Sequence, residues 1–225
     1  MKPTNPEMVD VEQFASLADA LDKVRQTKPF DDLAKKSLTT YIERGGTWNI
    51  TLLFFQSAVT RARGVHEAIV REIEMGNPHS AIALIRQLAE TLAMTFYVSD
   101  HPAYVEVLST RPEEQPRGAP NRKTMQKLVS YMDKHHTDQS GIVYADLCEM
   151  THFGSSALWS PHQSVERDEQ GVTISWSSAP KWKTEHDALV CCALLKELAG
   201  AMEQALIRLG KTLLTLIDVD STHAP

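Results

Sequence analysis

Apolar and polar positions along the chain keep a helical period over most of its length. Residues 10–26 set Phe14, Leu17, Leu21 and Val24 three or four apart, which lines one face of a helix that Asp10 can cap. A shorter helix is predicted from Asp31 to Glu43, stopped by Gly45-Gly46. From Thr47 to about Met75, Leu52, Phe55, Val59, Ala62, His66, Ile69 and Ile73 recur in alternating steps of three and four, a seam of coiled-coil type. Gly76-Asn77-Pro78 ends it. Ser80 to Val98 is apolar around most of its circumference, the pattern of a buried central helix, and Pro102 closes that element.

Residues 109–121, STRPEEQPRGAPN, are rich in proline and poor in apolar groups, which predicts a loop and the most mobile segment of the chain. A helix capped by Asn121 follows to about His135, and another runs from about Gln139 to Thr151 and stops near Gly154. The period then drops to two. Val172, Ile174 and Trp176 alternate with Thr173, Ser175 and Ser177 after a DEQG turn at 168–171, which predicts a β-hairpin with residues 159–167 as partner strand. Thr184 and Asp187 form a capping box, and Leu195, Leu198, Met202, Leu206, Leu209 and Leu213 carry a long helix to about Ile217.

The elements sum to an all-α chain, a multi-helix bundle with long antiparallel helices and one small hairpin before the C-terminal helix. One helical domain, 1–225, is expected: N-terminal helices at 1–46, core helices at 47–151 with the proline-rich loop at 109–121, the hairpin at 158–178 and the last helix at 184–217. The seams at Leu52–Ile73 and Leu189–Leu213 exceed what a small bundle buries, so one of them is expected to serve a homodimer. The 225 residues are 42% hydrophobic and 23% charged, ordinary for a globular fold.

A net charge of −6 removes any global positive field toward nucleic acid or an anionic membrane, so a basic site must be local. The N-terminal residues lack the apolar stretch of a secretory signal, and no run reaches the roughly 18 apolar residues of a membrane span. Cys148, Cys191 and Cys192 are odd in number, and the adjacent pair points about 100° apart on a helix, so a reducing cytoplasm is the expected compartment. No cofactor is expected. Neither is a metal: no C-x-x-C or H-x-x-x-H occurs, and Asp133, His135 and His136 are a single weak cluster.

Candidate chemistry begins with the central helix, whose apolar stretch holds one cation, Arg86, and one anion, Glu90, at i and i+4. Burying either charge is costly unless it is paired, so an internal ion pair is expected, either a structural clasp or a ligand clamp with Glu90 as orienter. His152, at the end of its helix, is a C-terminal capping residue or an acid, base or anion contact, with Tyr144 two turns earlier on the same side. Lys123, Lys127 and Lys134 fall within about 40° on one helical face, an anion-binding stripe or a solvated surface. Trp159, Trp176 and Trp182 lie in or beside the hairpin, as a lid on a core or a binding patch.

A buried helix reading L-x-R-x-x-x-E (Leu84, Arg86, Glu90), a proline-rich break, Y-x-x-L-x-x-x-x-H (Tyr144, Leu147, His152), a hairpin and a long final helix together resemble a bacterial helical domain family of unknown function. That family is distantly similar to the HEPN-like proteins of abortive infection and toxin–antitoxin systems. The resemblance covers residues 50–215 and implies an intracellular helical protein of no settled activity, linked to stress or phage defence; an RNA or a protein is the expected partner. HEPN ribonucleases pair an arginine with a histidine four to six residues on, and Arg61 and His66 meet that spacing, with Ala62 where a polar residue is usual. Metal-free RNA cleavage needs a base for the 2′-hydroxyl and a cation for the phosphorane charge, so arginine with histidine suffices. His66 also lies on the apolar seam, where a core histidine is the plain reading. The sequence thus leaves an interaction domain with a polar pocket at Arg86, Glu90 and His152, a metal-independent ribonuclease, and a sensor of a small anion.

Overall fold

A computed structural model describes residues 9–26, 30–114, 118, 121–152, 162–168 and 171–222. Trp159, part of the proline-rich loop and two residues of the hairpin turn lie outside the described residues. The chain is all-α with one small hairpin. Its elements are α1 (Leu17–Gln26), α2 (Phe30–Glu43), α3 (Ile50–Glu74), α4 (Pro78–Asp100), α5 (Tyr104–Ser109), α6 (Met125–His135), α7 (Ser140–Thr151), β1 (His162–Asp168), β2 (Gly171–Trp176) and α8 (Glu185–Thr222). The strands pair antiparallel, with Val165 opposite Ile174 and Arg167 opposite Val172.

Local side-chain chemistry sets the helix boundaries and explains where they depart from the periodicity. The helix expected from Asp10 begins at Leu17, because Ser16 Oγ accepts the amide of Asp19 at 3.2 Å while Asp10 closes a turn with the amide of Glu12 at 3.0 Å. At α3 the cap is Asn49, not Thr47: its Oδ1 accepts the amide of Leu52 at 2.9 Å, and the Thr47 carbonyl is taken by the Tyr41 hydroxyl at 2.6 Å. Asn77 caps α4 through the amide of Ser80 at 3.3 Å, with Pro78 in the first turn, where its missing N–H costs nothing. The capping box read at the last helix is present, with Asp187 accepting the Thr184 amide at 3.0 Å and Thr184 accepting the Asp187 amide at 3.2 Å. The sequence pattern did not reveal α5, whose six residues are too few to display a period.

The chain forms two compact units, each assembled from three segments. The first comprises Met1–Thr27, Val65–Leu88 and Ile142–Glu197. Its buried side chains include Leu21, Val24, Ile69, Ile73, Ile85, Leu88, Leu147 and Leu195. Long-range polar ties within it run from the Leu17 amide to Glu185 Oε1 at 3.0 Å, from Trp182 Nε1 to the Ile73 carbonyl at 3.3 Å, and from Arg25 to Glu74 at 2.6 Å. The second comprises Lys28–Gly64, Ala89–Gly141 and Leu198–Pro225, and buries Tyr41, Leu52, Phe55, Leu92, Leu128, Met202, Leu206 and Leu209. Thr212 Oγ1 ties α8 to the Ser99 carbonyl at 3.0 Å. Among the described residues only α4 is long and apolar enough to cross a membrane, and over half of its most apolar stretch is buried in the fold.

The α2–α3 turn turns on two glycines with different tasks. Gly45 takes φ +80°, the left-handed region that favours a residue without Cβ. Gly46 lies flat against the ring of Tyr41, where a methyl group would interpenetrate ring carbons of a side chain 2% exposed and hydrogen-bonded to Thr47 and Asn49. Gly46→Ala is therefore expected to destabilise the chain by about 1–3 kcal/mol, the usual cost of overpacking, read as a lower urea midpoint with an unchanged slope.

Candidate functional site

In the first unit the end of α7 brings together three of the residues singled out in the sequence. Thr151 Oγ1 donates to the Leu147 carbonyl at 2.8 Å, folding its hydroxyl back onto the last turn and leaving a lone pair outward. Arg86 Nη1 donates to that oxygen at 3.0 Å and to His152 Nε2 at 2.9 Å, and its guanidinium carbon lies 5.8 Å from the ring centroid of Tyr144. A guanidinium only donates, so Nε2 is the acceptor in this contact. The helix dipole favours a cation at this end of α7, which is one reason the arginine of α4 is held there. Arg86 is half-buried and His152 exposed. Glu90 follows one turn later on α4, half-buried, in the second unit.

Arg61 and His66 do not present one face. Five residues apart on a continuous helix, they diverge by about 140°. Arg61 is exposed while His66 is 5% exposed, and burial pushes its pKa down, against a smaller upward pull from Glu67. The basic stripe also divides. The helix expected from Asn121 starts at Met125, so Lys123 precedes it and extends its Nζ over the ring of Tyr97, 5.2 Å from the centroid. Lys127 and Lys134 stay on the exposed face of α6. Arg122, beside them, donates to the carbonyls of Leu108 at 2.7 Å and Thr110 at 2.9 Å and so closes the end of α5. Of the hairpin tryptophans, Trp176 is 67% exposed and Trp182 is half-buried.

A second polar cluster, in the second unit, is one that sequence reasoning missed. Asp100, the last residue of α4, accepts from Tyr131 Oη at 2.8 Å and His136 Nε2 at 2.6 Å on one oxygen, and from Arg208 Nε at 2.7 Å on the other. Its side chain is 13% exposed. Burial raises the Asp100 pKa, but the three donors outweigh it and the net shift is downward. Burial and the carboxylate beside it push Tyr131 up to about 12. Rings surround this cluster: His136 stacks on Phe96 at 4.3 Å, His101 stacks on Tyr97 at 4.3 Å, and Tyr131 meets Tyr97 edge-on at 5.0 Å and His135 at 4.4 Å. The only hint in the sequence is the His135-His136 pair; Asp100 stands 36 positions from His136 and 108 from Arg208.

The remaining titratable candidates point to packing. Cys191 and Cys192 are buried, and burial pushes their thiols to about 12 and about 11, so neither is a ready nucleophile. Among the described residues no three histidine, cysteine or carboxylate side chains are grouped to hold a metal ion. No family model, curated protein or solved structure matches this chain.

The Asp100 cluster carries a signed dependence on pH. A carboxyl whose folded pKa is depressed stabilises the fold above its unfolded pKa, near 3.9, and that contribution disappears as pH falls through the folded value. Tyr131 behaves oppositely: raised to about 12, it stabilises below its unfolded pKa of about 10 and the contribution is lost between about pH 10 and 12. Asp100→Asn is expected to cost about 3 kcal/mol at pH 7 and to flatten the acid limb of the stability curve. Tyr131→Phe is expected to flatten the alkaline limb. Urea unfolding across pH measures both.

Proposed function

We propose that this chain is a helical interaction or regulatory domain that recognises an anionic group at the corner formed by Arg86, Thr151 and His152. The observation that carries the reading is the 2.9 Å bond from Arg86 Nη1 to His152 Nε2. In this contact the guanidinium donates and the ring nitrogen accepts. An arriving carboxylate, sulfate or phosphate oxygen accepts from the same guanidinium, in a charge-assisted bond stronger than the one to a neutral acceptor such as the Thr151 hydroxyl. His152 is exposed, which makes the corner accessible from solvent.

The same pair favours a second reading, cleavage of RNA without a metal, since it contains a base and a cation in contact. Two experiments separate the readings. Titration with sulfate is expected to raise the melting temperature by about 3–5 °C at ten times its dissociation constant. Arg86→Gln and His152→Gln, each compared with its own sulfate-free baseline, are expected to lose that rise. A wild-type protein indifferent to sulfate removes the anion site. Incubation with mixed RNA in EDTA tests the nuclease reading, which requires cleavage by the wild type and its loss in His152→Ala.

A further inference from the structure

In the second unit, α6 presents Lys134, Lys127, Tyr131 and His135 within an arc of about 100°, counted at about 100° per residue. Both lysines and His135 are exposed. The arc continues onto neighbouring segments through rings: His135 lies 4.4 Å from Tyr131, Tyr131 lies 5.3 Å from the exposed His101, and His101 stacks on Tyr97 at 4.3 Å. Lys123 stands over the same Tyr97. Three ammonium groups are thus interleaved with a run of flat rings whose outer members face solvent.

The acids nearby do not cancel this charge. Asp100 is matched by Arg208 and His136, and Asp133 sits about 120° from Lys127 around the helix, where it accepts the amide of Gly141 at 3.2 Å. We propose that this face binds single-stranded nucleic acid, with Lys123, Lys127 and Lys134 on phosphates and the imidazoles of His101 and His135 as platforms for unpaired bases. Cations track a strand's backbone without regard to sequence, and every base offers a face to a ring. A duplex hides its base faces, so it uses only the lysines. This site shares no residue with the Arg86 corner and does not depend on it.

The test is fluorescence anisotropy of end-labelled oligouridylate, the matching oligodeoxythymidylate and a duplex of equal length, titrated with the full chain at low salt. Saturable binding of at least one single strand, at least tenfold tighter than the duplex, is expected. Its logarithmic salt slope is expected near −2, about 0.7 per neutralised phosphate for three lysines. Lys127→Glu with Lys134→Glu should weaken binding more than tenfold at an unchanged melting temperature, and His135→Ala by about tenfold. Lys36→Glu with Lys181→Glu, the same change of net charge at exposed positions off α6, should bind like the wild type. A preference for RNA or for DNA identifies the sugar that is read. Absence of binding to both strands, equal binding to the duplex, or full binding by the Lys127 and Lys134 variant overturns the proposal.

Discussion

The last carbonyls of a helix have no partner within it, and finding donors for them organises much of this molecule. At the end of α5 the donor is Arg122, which reaches the carbonyls of Val107, Leu108 and Thr110. At the end of α3 it is the indole of Trp182, together with a left-handed Gly76 at φ +73°. At the end of α7 it is Thr151, whose hydroxyl turns back on Leu147 and is itself held by Arg86. Each solution draws on a residue remote in sequence, so closing a helix end also fixes where another segment must lie. Asp100 is the inverted case. A carboxylate at the negative end of α4 adds charge to charge, and it is held there by donors from Tyr131 on α6, from His136 just after α6 and from Arg208 on α8.

The same accounting explains how α4 tolerates polarity in an apolar setting. Thr95 donates to the Thr91 carbonyl at 2.8 Å and Ser99 to the Phe96 carbonyl at 2.7 Å, so hydroxyls are satisfied within their own helix. Charged groups reach further. Arg86 and Asp100 draw partners from other elements, and a polar cluster forms around each of them. Chemistry in this fold gathers where an ionic group on a greasy helix forces other elements to supply partners.

What the sequence discloses and what it conceals follow from the range of each interaction. The box at Thr184 and Asp187 spans three residues and is legible as a pattern, as are the glycines that stop α2 and α3. Arg86 draws attention because a lone cation in an apolar stretch demands a partner, and a histidine closing a helix is a natural donor or acceptor. Asp100 draws none. It follows a serine at the foot of a helix, a place where an acid is ordinarily solvated, and its three partners come from positions 131, 136 and 208. Lys123 was read on a helix that begins two residues later, at Met125, because an asparagine that can cap looks the same in sequence as one that does not.

The interleaving of the two compact units governs how this chain can be taken apart. Each draws on an early, a middle and a late stretch of sequence, and four of the five cuts fall inside helices, in α3, α4, α7 and α8. Neither unit therefore exists as a continuous fragment: trimming from either end removes material from one unit and then from both. Dissection by shortened genes would yield unfolded pieces, and assigning activities to the Arg86 corner or the α6 face calls for point changes in an intact polypeptide, or for rewired connectivity that joins three stretches anew.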